Sequence, residues 1–136
     1  MNIRFVSIMI IIAGIFGVVT ASAQRRPHDQ VMKDIQATFG SLKKNLDANN
    51  SSAAGGDATR LQELFGEIEA FWAALKTKDA VGFAKSAGTA AAAVGTAAQN
   101  NDIKAAQESY TAIQKNCGSC HSAHREQIAT GFRIRP

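Results

Sequence analysis

The stretch that decides the fold is KNCGSCHSAHRE, residues 115–126, which brings two thiols and two imidazoles close together. Cys117, Cys120, His121 and His124 lie within eight positions, and the chain has no other cysteine. Three kinds of site use such residues: a disulfide redox pair, a metal site and a covalently attached haem. Each kind needs a different secondary structure around the cysteines, so the rest of the chain decides between them.

Apolar residues recur every three or four positions in four stretches, and no region shows the alternation typical of strands. The first stretch carries Met32, Ile35, Phe39, Leu42 and Leu46. The second carries Leu61, Leu64, Ile68, Phe71 and Leu75, and Phe65 and Trp72 widen it. The third carries Ala80, Ala84, Ala87, Ala91, Val94 and Ala98. The fourth carries Ile103, Ala106, Tyr110, Ile113, Cys117, Cys120 and His124. Each pattern predicts an amphipathic helix with one buried face.

The first two helices are expected to be separated by NNSSAAGGD, residues 49–57, because Gly, Ser and Asn favour turns. Pro27 suits the first turn of the first helix. Thr59 followed by Gln62 is typical of a capping box at the start of the second helix.

The segments that separate the second, third and fourth helices are shorter. Thr77 is a candidate N-cap for the third helix, whose small side chains let a neighbour come close or leave room for something large. Asn100 and Asn101 precede the fourth helix, Gly131 is its expected stop, and the tail at 132–136 is expected to be loose. Four helices with short connections predict an all-α fold, an antiparallel four-helix bundle.

The position of the cysteines on the last helix disfavours two of the three sites. A redox dithiol sits at a helix N-terminus, where the helix dipole lowers the pKa of the first thiol, whereas Cys117 lies deep in the last helix. All four residues are acceptable zinc ligands, but one straight helix presents them along a ridge, and a tetrahedral site normally draws on at least two segments.

Covalent haem fits best, because CxxCH places two thioether sulfurs one helical turn apart with an imidazole beside them. Cys117 and Cys120 are the expected attachment points, and His121 is the expected proximal iron ligand. An antiparallel bundle brings the end of the fourth helix beside the start of the first, where Met32 lies on the apolar stripe. A thioether opposite an imidazole is a known axial pair that gives a raised reduction potential, so Met32 is the expected distal ligand.

Three segments resemble the class II c-type cytochromes, which include cytochrome c-prime and its low-spin, methionine-ligated relatives. CGSCHSAHR, residues 117–125, is similar to their haem attachment site. QVMKDI, residues 30–35, resembles the first-helix segment that carries the methionine ligand in low-spin members, and FWAALKTKDAVGF, residues 71–83, resembles the segment between the second and third helices. The similarity covers essentially all of residues 24–136.

The resemblance implies one covalent haem c and a basic haem-binding residue at Arg125, four positions after the histidine. The expected function is a periplasmic monohaem carrier of single electrons between other redox proteins, and not an enzyme. The alternative is a cytochrome c-prime-like protein that binds nitric oxide or carbon monoxide at five-coordinate iron. A metal-binding or purely structural bundle without haem is a third reading. Homodimer formation stays open, since related bundles often pair through their first two helices.

Two histidines depart from the family pattern. His28 shares a face with Met32 and is expected to be a partly exposed residue of the first turn. The alternatives are that it hydrogen-bonds a haem propionate or that it competes with Met32 for the iron. His124 lies on the buried stripe and is expected to be packed and hydrogen-bonded near the haem. Neither is expected to bind iron.

Two further groups bear on the site. Only one or two aromatic residues are expected to touch the porphyrin, and the candidates are Phe39, Phe65, Phe71, Trp72 and Phe83. Both termini return to the haem end, where arginines either neutralise propionates, steer an acidic redox partner, or lie on mobile tails. These arginines are Arg25, Arg26, Arg125, Arg133 and Arg135.

The first 23 residues are expected to be a cleaved secretory signal peptide. Arg4 supplies its positive region, residues 5–20 its apolar region, and Ala21-Ser22-Ala23 its cleavage site. The expected mature domain is 24–136, with no membrane span, exported to the periplasm. Fourteen basic and eleven acidic side chains follow residue 23, a net charge of +3 that is too small and too dispersed for nucleic-acid binding.

Overall fold

The structure is a computed structural model that describes residues 25–136. The predicted signal peptide, residues 1–23, lies outside the described residues. The elements, in chain order, are α1 (His28–Asp47), α2 (Ser51–Ala74), α3 (Lys78–Gln99), α4 (Ile103–His124), β1 (Arg125–Ile128) and β2 (Gly131–Ile134). The chain is therefore mostly helical, and the four helices are compatible with the predicted bundle.

Contacts between helix ends show that neighbouring helices run in opposite directions. Arg26, just before α1, bonds Glu67 near the end of α2, and His124 at the end of α4 bonds Asp79 at the start of α3. The α2–α3 and α3–α4 interfaces are extensive, whereas α1 touches α4 only sparsely. The bundle is therefore closed along three of its sides and loose along the fourth.

The buried faces follow the predicted stripes closely. All six predicted positions of α3 are buried, as are Ile35, Leu42 and Leu46 of α1. The backbones of α2 and α3 approach closely, since a methyl group at Gly88 would lie 3.6 Å from Cβ of Phe65. One residue of the predicted apolar stripes is exposed: Leu75 follows the last residue of α2, and 42% of its surface is accessible.

The start of α2 differs from the prediction. The helix begins at Ser51, so most of the Gly- and Ser-rich segment is helical and Thr59 is not its first residue. The Asn50 side chain accepts a hydrogen bond from the backbone N–H of Ala53, which caps the helix. Burial of Ala54 and Ala58 compensates for the low helix propensity of the glycines.

The chain after His124 also differs from the prediction. The fourth helix ends at His124 and not near Gly131, and residues 125–134 form an antiparallel β-hairpin. Gly131 has a φ of 131°, which favours glycine, and it opens the second strand. The tail at 132–136 is therefore largely ordered and not loose. Arg125–Ile134 is called the C-terminal hairpin below.

Among residues 25–136, no helix is both long enough and apolar enough to cross a lipid bilayer.

Candidate functional site

A cavity of about 710 Å³ lies where α1 and α4 fail to pack against each other. All four helices and the C-terminal hairpin contribute to its wall. The contributions from α1 and α4 include His28, Met32, Ile35, Phe39, Cys117, Cys120, His121 and His124. Every residue predicted to attach the haem or bind its iron therefore lines one cavity.

The two cysteines are separate thiols on the cavity face of α4. Burial raises the pKa of Cys117 to about 11, and burial also raises the pKa of Cys120. Both groups are consequently neutral thiols at neutral pH. A dithiol redox centre needs a lowered thiol pKa, so these values disfavour that reading.

His121 and Met32 line the cavity from opposite helices, as the antiparallel arrangement predicts. Burial, reinforced by the positive charge of Arg125, lowers the pKa of His121. The unprotonated imidazole, which has a lone pair for a metal, is therefore favoured at neutral pH. Met32 is partly buried and packs against the apolar core. That either residue binds iron stays a prediction.

Small residues of α3 leave space for the cavity. Ala84 and Ala87 are buried and form part of its wall. At its far side the rings of Phe39 and Tyr110 stack with centroids 4.2 Å apart, which bridges α1 and α4. Both alternatives for the small side chains of α3 therefore apply: α2 comes close to α3, and Ala84 and Ala87 form part of the cavity wall.

More aromatic residues line the cavity than the one or two expected to touch a porphyrin. Four of the five candidates are in its wall, namely Phe39, Phe65, Trp72 and Phe83. Phe71 is not in the wall, and it contacts the His28 ring with centroids 4.5 Å apart. The apolar stripes in the sequence could not predict how many aromatic residues line the cavity, because they do not show that α1 and α4 separate.

His28 is half-buried in the first turn of α1, as expected, and it lines the cavity one turn from Met32. Burial lowers the pKa of His28, and the neighbouring His121 lowers it further, while Asp29 acts in the opposite direction. Its ring forms a cluster with those of Phe71 and Trp72, with centroids 4.5 and 5.9 Å away, which favours a packing role.

His124 is buried, with 7% of its surface exposed, and hydrogen-bonded, as expected. Its Nδ1 lies 2.8 Å from the carbonyl oxygen of Arg135, and its Nε2 lies 3.0 Å from a carboxylate oxygen of Asp79. Both ring nitrogens are engaged, so His124 is not available to a metal.

The five arginines do not form one cationic surface. Arg125 and Arg133 line the cavity, whereas Arg26 is paired with Asp34 and Glu67. Arg25 donates to the carbonyl oxygen of Ala70, and Arg135 donates to that of Ala123. Only the first two are therefore placed to meet a group in the cavity, and Arg133 also bonds Glu126.

Within residues 25–136, no three His, Cys, Asp or Glu side chains are grouped so that they hold a metal ion. Cys117, Cys120, His121 and His124 all belong to the single helix α4. The donor set matches a different chemistry, in which two sulfurs bond to a porphyrin and one imidazole meets its iron.

The cavity is suited to a haem in size and lining. Its volume falls within the roughly 300–1,000 Å³ of typical cofactor pockets. Its wall is mostly apolar and aromatic, while Lys33 and Arg125 add positive charges for carboxylates. The residues present therefore fit the group that the CxxCH pattern implies.

The C-terminal hairpin is the part of the site that sequence reasoning missed. Phe132, Arg133 and Ile134 line the cavity, although this segment was predicted to be loose. The one available signal was the apolar–basic–apolar order Phe132, Arg133, Ile134, which is short for a strand pattern.

No protein-family model, curated protein or solved structure matches this chain.

Proposed function

We propose that this chain is an exported carrier of single electrons that holds one covalent haem c. The observation that supports the proposal most strongly is that Cys117, Cys120 and His121 of α4 line the same cavity as Met32 of α1. In this proposal the two cysteines attach the haem as thioethers, and His121 and Met32 are the proximal and distal iron ligands.

Bound haem supplies a metal that exchanges one electron. The chain's own residues fix the ligands, exclude water and place charge around the group. Helix packing holds His121 and Met32 on separate, well-ordered helices, so neither needs to move between oxidation states. Arg125, at the cavity wall, would meet a haem carboxylate. His121 and Met32 would both bind the iron and would leave no position for a substrate, so the proposed role is electron transfer and not catalysis.

Export belongs to the same proposal. Haem is attached to CxxCH outside the inner membrane, and the predicted signal peptide at residues 1–23 supplies the route there. A pair of unprotected thiols in that oxidising compartment would tend to form a disulfide, whereas thioether bonds prevent this. The donor and acceptor would be other redox proteins.

The test of the distal ligand is the visible spectrum of Met32→Ala. Loss of the thioether should convert low-spin ferric iron to high-spin iron, with loss of the ferric charge-transfer band that marks sulfur ligation. The reduced variant should then bind carbon monoxide. The matched control is Ile35→Ala, which removes another cavity-lining side chain of α1 without removing a ligand.

Two results would contradict the assignment of Met32. An unchanged spectrum in Met32→Ala would show that another group is the distal ligand. A wild-type protein that is already high-spin and binds carbon monoxide would favour the gas-binding alternative, in which Met32 only packs.

A further inference from the structure

The C-terminal hairpin is fixed at both of its ends to the last turn of α4. Its first residue, Arg125, follows directly from His124. Beyond its second strand, the backbone N–H of Arg135 donates to the carbonyl oxygen of His124 at 2.8 Å. The Arg135 guanidinium donates to the carbonyl oxygen of Ala123, and His124 Nδ1 bonds the Arg135 carbonyl oxygen. The hairpin therefore has a defined place beside Cys120 and His121.

The strand register divides the hairpin into two faces. Gln127 pairs with Phe132 and Arg125 pairs with Ile134, so these four side chains share one face. Arg125, Phe132 and Ile134 of this face line the cavity, as does Arg133 of the other face, whereas Gln127 does not. Ile128 lies on the other face and is absent from the cavity wall.

The cavity-side face carries a large apolar surface. Phe132 is 55% exposed and Ile134 is 37% exposed, although both line an apolar cavity. The guanidinium carbon of Arg125 lies 3.3 Å from the centre of the Phe132 ring, which holds that ring in place from one side. A planar apolar group in the cavity would cover the other side of this ring, and burial of an aromatic surface is favourable.

We propose that the C-terminal hairpin is a covering wall of the haem site, with Phe132 packed against the bound haem. This inference rests on the proposed function. It adds a binding residue that the CxxCH pattern does not contain, on an element outside the four helices. The consequence is that haem attachment and hairpin stability are linked: the haem holds the hairpin closed, and the hairpin shields the haem from water.

The test is hydrogen–deuterium exchange of the hairpin amides, measured by mass spectrometry in haem-loaded protein and in the same chain produced without haem. Haem should slow exchange at 125–134 by about tenfold or more, the effect expected when an aromatic side chain becomes buried. Phe132→Ala should lose most of this haem-dependent slowing. Ile128→Ala, an apolar truncation on the opposite face of the same hairpin, should keep it.

Comparison of the haem-loaded and haem-free forms distinguishes two roles of Phe132: packing against the haem, and stabilisation of the hairpin itself. A purely structural role of Phe132 would speed exchange equally in both forms and leave the haem-dependent ratio unchanged, which would overturn the proposal. Absence of any haem-dependent slowing in the wild-type hairpin would overturn it as well, while the proposed electron-transfer function would still stand.

A second measurement covers the case in which the haem-free chain does not fold. The shift of the main haem absorption band on addition of ethylene glycol reports the fraction of haem exposed to solvent. In loaded protein this shift should be larger in Phe132→Ala than in Ile128→Ala, and equal shifts would overturn the proposal. If the wild-type chain acquires no haem, the proposed function fails and this inference fails with it.

Discussion

At the level of single residues, His124 links three parts of the molecule that meet at the end of the cavity. Its imidazole belongs to α4 and contacts Asp79 at the start of α3 and the carbonyl oxygen of Arg135 beyond the C-terminal hairpin. Trp72 of α2 packs beside it, with ring centroids 5.1 Å apart. Each ring nitrogen of His124 therefore has an oxygen atom as its hydrogen-bond partner.

Replacement of His124 by Ala should therefore destabilise the fold. Loss of a buried group with two hydrogen bonds costs about 1–3 kcal/mol, and the Arg135 carbonyl is left without this partner. The free energy of unfolding in urea is the measurement. Asp79→Asn keeps an oxygen acceptor at the same place and should cost less. If His124→Ala unfolds at the same urea concentration as the wild type, the link is not structural.

The single-residue predictions differ in how well the sequence supported them. The positions of Cys117, Cys120 and His121 on one helix face followed from spacing alone, because i, i+3 and i+4 always share a face. The partners of His124 could not be predicted, since Asp79 and Arg135 are brought to it by chain reversals that no local pattern encodes. The engagement of Arg26 away from the cavity has the same cause.

At the level of elements, helix identity was predictable and helix ends were less so. The apolar stripes gave all four helices, because a period near 3.6 is a property of many residues at once. The predicted start of α2 was wrong. The local glycine content argued against a helix, but packing against α3 stabilises the helix there. The C-terminal hairpin was missed, since its strands are four residues each and are exposed along most of their length.

The start of α1 is tied to α2 by an ion-pair network that should be sensitive to acid. Hydrogen bonds from Arg26 hold the pKa values of Glu67 and Asp34 below their usual values. The same hydrogen bonds raise the pKa of Arg26, with the larger effect from Glu67 and the smaller from Asp34. A carboxyl group whose pKa is lower in the folded protein than in the unfolded chain stabilises the fold. This stabilisation is fully present at pH values above the pKa of the unfolded chain. This stabilisation is lost as pH falls through the folded pKa.

Arg26→Gln should accordingly lower the melting temperature at about pH 7 and have a smaller effect at a pH below the folded pKa values of both carboxyl groups, where they are protonated in either state. The partly exposed setting keeps the effect modest. Lys43→Gln is the control, because Lys43 forms an exposed pair with Asp47 within α1, away from the cavity wall. An Arg26→Gln effect that is the same at both pH values would contradict the role assigned to the network.

At the level of the whole molecule, the arrangement of helices creates the site. Extensive α2–α3 and α3–α4 interfaces form a rigid frame, and the sparse α1–α4 contact leaves the cavity between the CxxCH helix and the Met32 helix. The sequence predicted that Met32 of α1 would lie in the same part of the bundle as the CxxCH residues of α4, and all of them line this cavity. It did not predict how much of the wall the C-terminal hairpin would supply, because that depends on where the chain turns after α4.

The central claim is that the last helix carries a covalently attached haem. The most direct measurement is the intact mass of the protein secreted by a host that attaches haem to CxxCH, made alongside a Cys117→Ala, Cys120→Ala double variant. The wild-type mass should exceed that of the processed polypeptide by one haem, which acid–acetone extraction should not remove, and the double variant should show no such excess. A wild-type polypeptide with no added mass would contradict the account.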